Sequence, residues 1–362
     1  MVFGLFNKIR KKSSTHYFNL RVKEVVQETQ DAITIRFEKP DKEITYRPGQ
    51  FLTLILNIEG KEVRRSYSFS SSPIVDDHMA ITVKRVKNGL VSNYLADNMC
   101  AGEELRIMEP MGHFVLDEKA TQKNVVMFAG GSGITPLMSL LKSTLSQNSG
   151  TRVSLIYSNR NEQQIIFKEA LHELEVKYHD RLKVIHVLEE PPVDWTGVHG
   201  LLNQENLRSI FNKLPLREED TIYMLCGPEG MMVNAEGLLK NEGIQAGKIM
   251  IERFTASVEV KKEKAGKKGS GKMSNVTIVQ DGREQTITVS YGASILKTAL
   301  DQGLDLPFSC QSGVCTACRC KKITGEVNIE DAKGLTEEEI KAGYVLICVG
   351  KPAAEEIKLE VG

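Results

Sequence analysis

Between Tyr17 and Leu116 the apolar positions come in short bursts that alternate with polar ones. Ala32-Ile33-Thr34-Ile35-Arg36-Phe37 keeps a period of two, and Phe51-Leu52-Thr53-Leu54-Ile55-Leu56 keeps it in part, as half-buried strands do. Pro48-Gly49, Glu59-Gly60, Asn88-Gly89 and Met111-Gly112 punctuate these runs, which predicts a small antiparallel barrel. Near Asn124 the pattern changes. Val125-Val126-Met127-Phe128-Ala129 is unbroken and apolar, as in a strand covered on both faces, and a helix with Leu137, Leu140, Leu141 and Leu145 on one side follows. Further strands are expected over Val153–Tyr157, Leu182–Val187, Thr221–Cys226 and Ile249–Phe254, separated mostly by helical stretches, so this part reads as a doubly wound parallel α/β sheet. Lys261-Lys262-Glu263-Lys264-Ala265-Gly266-Lys267-Lys268-Gly269-Ser270-Gly271-Lys272 has no large apolar residue and reads as a flexible linker. Alternation resumes with Val276 and Ile278, then Ile287 and Val289. The expected division is a flexible tail over 1–15, a barrel over 16–119, an α/β unit over 120–256, a linker over 257–273 and a third unit over 274–362.

A chain of 362 residues with 41% hydrophobic and 26% charged residues agrees with several globular units. The 47 basic and 47 acidic residues cancel, so the whole chain carries no charge that would favour nucleic acid as a partner. No apolar run reaches the length of a membrane-spanning helix, and Met1–Phe6 is too short and wrongly flanked for a secretory signal; a cytoplasmic setting is expected. Phe3-Gly4-Leu5-Phe6 followed by Lys8, Arg10, Lys11 and Lys12 has the makings of a membrane toe-hold, but so short a helix binds weakly and a disordered tail is the favoured reading.

Placement makes the seven cysteines informative. Cys310, Cys315 and Cys318 stand in a C-x4-C-x2-C run and Cys348 follows alone, which is the plant-type spacing for a 2Fe–2S cluster. Four thiolates on zinc are the alternative, yet structural zinc sites usually pair two short knuckles, and here the fourth cysteine is solitary. Ser312, Gly313 and Ala317 are small enough to let loop N–H groups turn toward sulfur. Cys320 reads as a spare thiol pointing away from the other three.

Two further segments carry nucleotide chemistry. Arg65-Ser66-Tyr67-Ser68 follows a strand, and on a strand Arg65 and Tyr67 would share one face and Ser66 and Ser68 the other. Gly89-Leu90-Val91-Ser92 opens a helix expected over Asn93–Met99, where N–H groups and the helix dipole favour a phosphate. Gly131-Ser132-Gly133-Ile134-Thr135-Pro136 lies between the first parallel strand and the Leu137 helix, where a dinucleotide-phosphate loop belongs; Pro136 suits a first helical turn. Ser158-Asn159-Arg160 stands where an acidic residue would hold a ribose 2′-hydroxyl, and Arg160 can accept a 2′-phosphate, which leans toward NADPH and leaves NADH open.

Together these segments resemble the ferredoxin–NADP+ reductase superfamily, and 274–362 resembles the plant-type 2Fe–2S ferredoxins, with an α+β β-grasp fold implied. The resemblance implies that Tyr67 stacks on the flavin ring, that Ser68 bonds near its reactive nitrogen, and that Arg65 and Ser92 contact the pyrophosphate. It places Ser66, Thr82, Val83, Lys84, Gly89 and Val91 along the flavin nucleotide, and implies FAD rather than FMN. It places Gly131, Gly133, Thr135, Pro136 and Gly227 at the nicotinamide dinucleotide, with Cys226 beside the nicotinamide; a buried structural thiol is the alternative for Cys226. Ile251-Glu252-Arg253-Phe254 is similar to the superfamily's Glu-x-aromatic, whose ring covers the flavin, so Ser68, Cys226 and Glu252 are the implied catalytic set. The order of units resembles the reductase components of multicomponent oxygenases. Within these, Val63-Arg64-Arg65-Ser66-Tyr67-Ser68, Ala129-Gly130-Gly131-Ser132-Gly133-Ile134-Thr135-Pro136 and Tyr157-Ser158-Asn159-Arg160 look most like the phenylacetyl-CoA epoxidase type. The implied partner is an oxygenase; reductases of Rieske dioxygenases, steroid hydroxylases or membrane desaturases, and a non-catalytic electron carrier or redox sensor, are the rivals. A hydride carries two electrons and the cluster takes one, so a flavin is needed between them.

Overall fold

The computed structural model describes residues 17–116, 123–147, 150–214, 220–254, 272–330 and 332–361. The expected tail and nearly all of the expected linker lie outside the described residues.

The first unit is built from β1 (Tyr17–Thr29), β2 (Ala32–Phe37), β3 (Phe51–Ile58), β4 (Lys61–Ser68), β5 (Ala80–Lys84), helix α1 (Leu90–Asn98) and β6 (Glu104–Met111). The strands form an antiparallel sheet in the order β4-β3-β6-β1-β2-β5. Beyond the end of β4, Phe69 bridges to Ile81 of β5 and curls the sheet into a barrel. In β2, Ile33, Ile35 and Phe37 are buried with Leu52, Leu54 and Ile107 in one core, but Ala32 and Thr34 on the other face are buried as well, so the strand is covered on both sides rather than half-buried. Each such side chain contributes about 1.5–3 kcal/mol of hydrophobic stabilisation.

The second unit runs β7 (Asn124–Gly130), α2 (Ile134–Gln147), β8 (Arg152–Asn159), α3 (Lys168–Lys177), β9 (Leu182–Leu188), β10 (Val198–His199), α4 (Gln204–Phe211), β11 (Thr221–Cys226), α5 (Glu229–Asn241) and β12 (Ile249–Glu252). The sheet is parallel throughout, in the order β10-β9-β8-β7-β11-β12, and every residue of β7 is buried. The chain reverses its direction of winding between β7 and β11, the place where ligands enter such sheets. Strand β12 stops at Glu252 rather than at Phe254, because its partner β11 ends at Cys226 and Pro228 then turns the chain into α5. Helix α2 packs onto the barrel through polar contacts. The Ser139 hydroxyl donates to the Ser71 carbonyl (2.5 Å), Ser72 and Ser143 share a hydrogen bond (2.7 Å), and Lys142 pairs with Asp76 (2.8 Å).

The third unit comprises β13 (Met273–Gln280), β14 (Arg283–Ser290), α6 (Ile295–Asp301), β15 (Arg319–Thr324), β16 (Val327–Asn328), α7 (Glu337–Lys341), β17 (Tyr344–Leu346), β18 (Lys351–Pro352) and β19 (Glu356–Val361). Its main sheet, ordered β14-β13-β19-β15-β17, grasps α6 through a core that includes Val276, Ile278, Ile287 and Val289. Among the described residues no helix is long and apolar enough to cross a membrane.

Candidate functional site

A cavity of about 380 Å³ opens where the three units meet. The end of β4 forms one wall, and Arg65, Ser66, Tyr67 and Ser68 all border it. Strand alternation predicts two faces here, but β4 ends at the barrel rim and residues of both faces reach the opening. Tyr67 is pressed between the cavity and the barrel core, and burial raises its hydroxyl pKa. The Ser66 hydroxyl shares a 3.2 Å hydrogen bond with Thr53 on the neighbouring strand. Thr82 and Lys84 line a second wall, whereas the Val83 side chain turns into the core and is fully buried.

Helix α1 begins at Leu90, three residues before the expected start, with Gly89 as its N-cap. The Ser92 hydroxyl folds back to accept from the Val86 N–H at 3.0 Å. A Cβ on Gly89 would come within 2.7 Å of that hydroxyl, so glycine is what lets the turn close. Val91 and Ser92 border the cavity.

The glycine loop after β7 lies opposite. Gly131 takes a left-handed φ of 50°, and the buried Tyr157 donates to its carbonyl at 3.0 Å. Thr135 caps the turn by donating to the Ser132 carbonyl (3.0 Å), and both residues line the cavity. Pro136 sits buried in the first turn of α2, as expected. A Cβ on Gly133 would stand 2.0 Å from the Cys226 carbonyl, and one on Gly227 would stand 2.8 Å from the Gly130 nitrogen. The turns after β7 and β11 thus touch backbone to backbone at the switch point.

Cys226 is fully buried behind this contact; burial first, and Glu252 second, raise its pKa. Glu252 is its register partner on β12 and borders the cavity beside Ser68. Burial pushes the Glu252 carboxyl up to about 8, against a smaller opposite pull from the Ser68 hydroxyl. That hydroxyl is close enough to act on the carboxyl, yet neither Ser68 Oγ nor Glu252 Oε2 has a hydrogen-bond partner. Two buried, unpartnered polar atoms beside Tyr67 fit a polar aromatic heterocycle such as a flavin ring. Phe254 borders the same opening and is 40% exposed. Arg160 lies outside the cavity and pairs at 3.0 Å with Glu190, a partner that spacing alone did not reveal; both side chains are largely exposed.

The cysteine loop closes the remaining side. Gln311 and Gly313 both take positive φ (53° and 74°), which turns the N–H groups of Ser312 and Cys315 toward Cys310 Sγ (3.4 and 3.3 Å) and that of Cys310 toward Cys315 Sγ (3.4 Å). The Cys310 thiol interacts with Cys315 and Cys348, and Cys348 in turn with Cys318, so all four thiols converge. A Cβ on Gly334 would collide with the Val314 carbonyl at 2.1 Å, so that glycine lets the next segment lie directly on the loop. Four converging thiols with N–H groups donating to sulfur fit a thiolate-held cluster. Cys320 lies apart, buried in the core on β15. Cys310 and Cys315 border the cavity that Tyr67 borders.

Several lining residues carry no sequence signal. His113 and Phe114 follow β6 in an irregular loop, and burial and the Arg319 charge hold the His113 imidazole below its ordinary range. Glu338 and Glu339 at the start of α7 also reach the cavity. Glu339 closes a capping box with Thr336 and pairs with Arg319 at 2.8 Å. Part of the acidic run Glu337-Glu338-Glu339 is therefore turned inward.

Residues 17–116 match the oxidoreductase FAD-binding domain family, 127–236 the oxidoreductase NAD-binding domain family and 278–353 the 2Fe-2S iron-sulfur cluster binding domain family. The chain is 35% identical to a subunit of the 1,2-phenylacetyl-CoA epoxidase of Escherichia coli (strain K12), over 96% of this chain and 98% of that protein. It is 36% identical to the 3-ketosteroid-9-alpha-monooxygenase ferredoxin reductase component of Rhodococcus rhodochrous, over 94% and 96%. The solved structure of phthalate dioxygenase reductase shares the fold, with a TM-score of 0.60, 22% identity and coverage of 95% of this chain and 98% of that one. Fold and site thus define an oxidoreductase with FAD, a nicotinamide dinucleotide and a 2Fe–2S cluster as cofactors. The chain belongs to the ferredoxin–NADP+ reductase superfamily, in the branch that carries a C-terminal plant-type ferredoxin domain.

Proposed function

We propose that this chain is the reductase component of an oxygenase, taking hydride from NAD(P)H and delivering single electrons to a phenylacetyl-CoA epoxidase-type complex. One observation carries the reading: β4, Glu252–Phe254 and the Cys310–Cys315 loop border one cavity, so the hydride-accepting and electron-exporting sites are adjacent. When bound, the flavin supplies the conversion from two-electron to one-electron transfer. The protein's residues supply position. Tyr67 offers its ring to the flavin, Ser68 and Glu252 offer the unpartnered oxygens at its edge, and Phe254 shields it from water. Arg65, Ser66, Thr82, Lys84, Val91 and Ser92 hold the phosphate and nucleotide portions, with Val83 and Gly89 shaping the backbone beneath. Gly131, Gly133, Thr135, Pro136 and Gly227 cradle the nicotinamide dinucleotide, and Cys226 backs its ring. Cys310, Cys315, Cys318 and Cys348 hold the cluster.

Arg160 favours NADPH, while the neighbouring Glu190 competes for its charge and leaves room for NADH. The units run over 16–119, 120–256 and 274–362 with a linker over 257–273, and the setting is cytoplasmic. The relative from Rhodococcus, with similar identity and coverage, supports a steroid monooxygenase as the second reading. Reconstitution separates them. The chain, NADPH or NADH, and either an epoxidase or a ketosteroid oxygenase component are mixed, and product is measured. Epoxide formation from phenylacetyl-CoA is expected; turnover only with the steroid oxygenase would replace the first reading by the second.

A further inference from the structure

The ferredoxin unit meets the barrel at a contact that lies just outside the cavity. The Arg64 guanidinium covers the Phe308 ring at 4.1 Å. Its side chain is only 13% exposed and its charge is balanced by Glu62 at 2.9 Å, so the cation is partly desolvated, the condition in which a cation–π contact is strongest. Beside it the Tyr17 hydroxyl donates to Asp305 Oδ1 at 2.9 Å, and Arg106 covers the Tyr17 ring at 4.5 Å. The placement links this contact to the chemistry. Arg64 precedes Arg65 on β4, and Phe308 is two residues before Cys310, so each anchor is rigidly joined to a wall of the cavity. Tyr17, Arg64, Asp305 and Phe308 do not themselves border the cavity.

We propose that Tyr17 and Arg64 on the barrel, with Asp305 and Phe308 on the ferredoxin unit, form an interdomain latch that holds the cysteine loop against the flavin cavity. The latch is a positioning device. Its purpose rests on the electron path proposed above, but its existence as a docking contact does not.

The test uses the full-length protein with its cofactors and reads hydrogen exchange by mass spectrometry. Exchange reports the opening equilibrium of a contact directly. Loss of one desolvated cation–π contact in Arg64→Ala is expected to accelerate exchange over 305–311 about tenfold and to leave β7 and α2 unchanged. Phe308→Ala is expected to do the same, and the double variant to be no faster than either single, because both remove one shared contact. Phe308→Tyr keeps an aromatic face and should exchange like the parent. Should Phe308→Ala lose the cluster by misfolding, Arg64→Ala and Tyr17→Phe, both on the barrel, still decide the matter. Unchanged exchange over 305–311 in Arg64→Ala, or strictly additive effects in the double variant, would overturn the latch. A second readout follows NADPH reduction in a stopped-flow instrument, where two electrons enter as hydride and the cluster takes one. Cluster bleaching should slow in Arg64→Ala by the same factor by which the docked fraction falls, while flavin bleaching holds its rate. A docked fraction reduced to a minority with unchanged cluster bleaching would leave the latch standing and overturn the proposed electron path.

Discussion

Glu252 shows how burial sets the character of a single residue. With its carboxyl pushed up to about 8, the folded chain keeps a proton that the unfolded chain, near 4.5, has released. Between those values the folded state binds more protons, so raising the pH through this window lowers stability, by at most roughly 5 kcal/mol. Below the window both states are protonated and the penalty vanishes. Flavin-free Glu252→Gln should therefore lose less stability than the parent as pH rises from about 4.5 to about 8; parallel profiles would show that Glu252 does not titrate in that window. Thiols allow a second contrast. Cys310→Ser, Cys315→Ser, Cys318→Ser or Cys348→Ser is expected to abolish bound iron and sulfide while NADH or NADPH still bleaches the flavin. Cys320→Ser should retain the cluster and lose about 1–3 kcal/mol, because a hydroxyl enters an apolar core. Retention of iron in Cys348→Ser together with its loss in Cys320→Ser would reverse the ligand assignment.

At the scale of elements, the switch point between β7 and β11 brings backbone against backbone, with Pro228 and Met231 packed beside it. Gly133→Ala would drive a Cβ into the Cys226 carbonyl at 2.0 Å, and no flexible side chain is there to yield. The strand ends must part. A loss of about 1–3 kcal/mol in denaturant unfolding is expected, with flavin still bound and hydride transfer from NAD(P)H slowed. The same variant with parental hydride-transfer kinetics would show that the glycine loop serves packing alone. Helix α1 teaches a related lesson. Its start at Leu90 comes from Gly89 as N-cap and from the Ser92 hydroxyl satisfying Val86, a local side-chain-to-backbone bond that hydrophobic periodicity cannot report.

For the whole molecule, zero net charge conceals an uneven arrangement. Glu339 is engaged with Arg319 and Thr336, while Glu337, Glu338, Glu355 and Glu356 on the ferredoxin unit are exposed and available to an external acceptor. Electron delivery to an acceptor oxygenase is expected to slow as ionic strength rises, while flavin reduction changes much less. Stopped-flow rates of both steps across a salt series check this. Equal indifference of the two steps would remove electrostatic steering from the account.

Much of the protein was legible in its sequence because the relevant signals are local. Alternation in β13 and β14 and the unbroken apolar run of β7 reflect which faces are covered, and the cysteine spacing reflects how a short loop delivers several thiols to one place. Gly131, Gly133 and Pro136 could be read for the same reason: a tight turn into a helix constrains residue type within a few positions. What only the tertiary structure decided depends on residues far apart in the chain. The end of β12 at Glu252 follows from where β11 ends. The inward turn of Val83, the pairing of Arg160 with Glu190, the raised pKa of Glu252 and the arrival of His113 and Glu339 at the cavity are all consequences of packing between distant segments. The meeting of Tyr67 with Cys310 at one cavity is the clearest case, since it requires the barrel and the ferredoxin unit to dock, and docking depends on surface contacts that carry no periodicity in the chain.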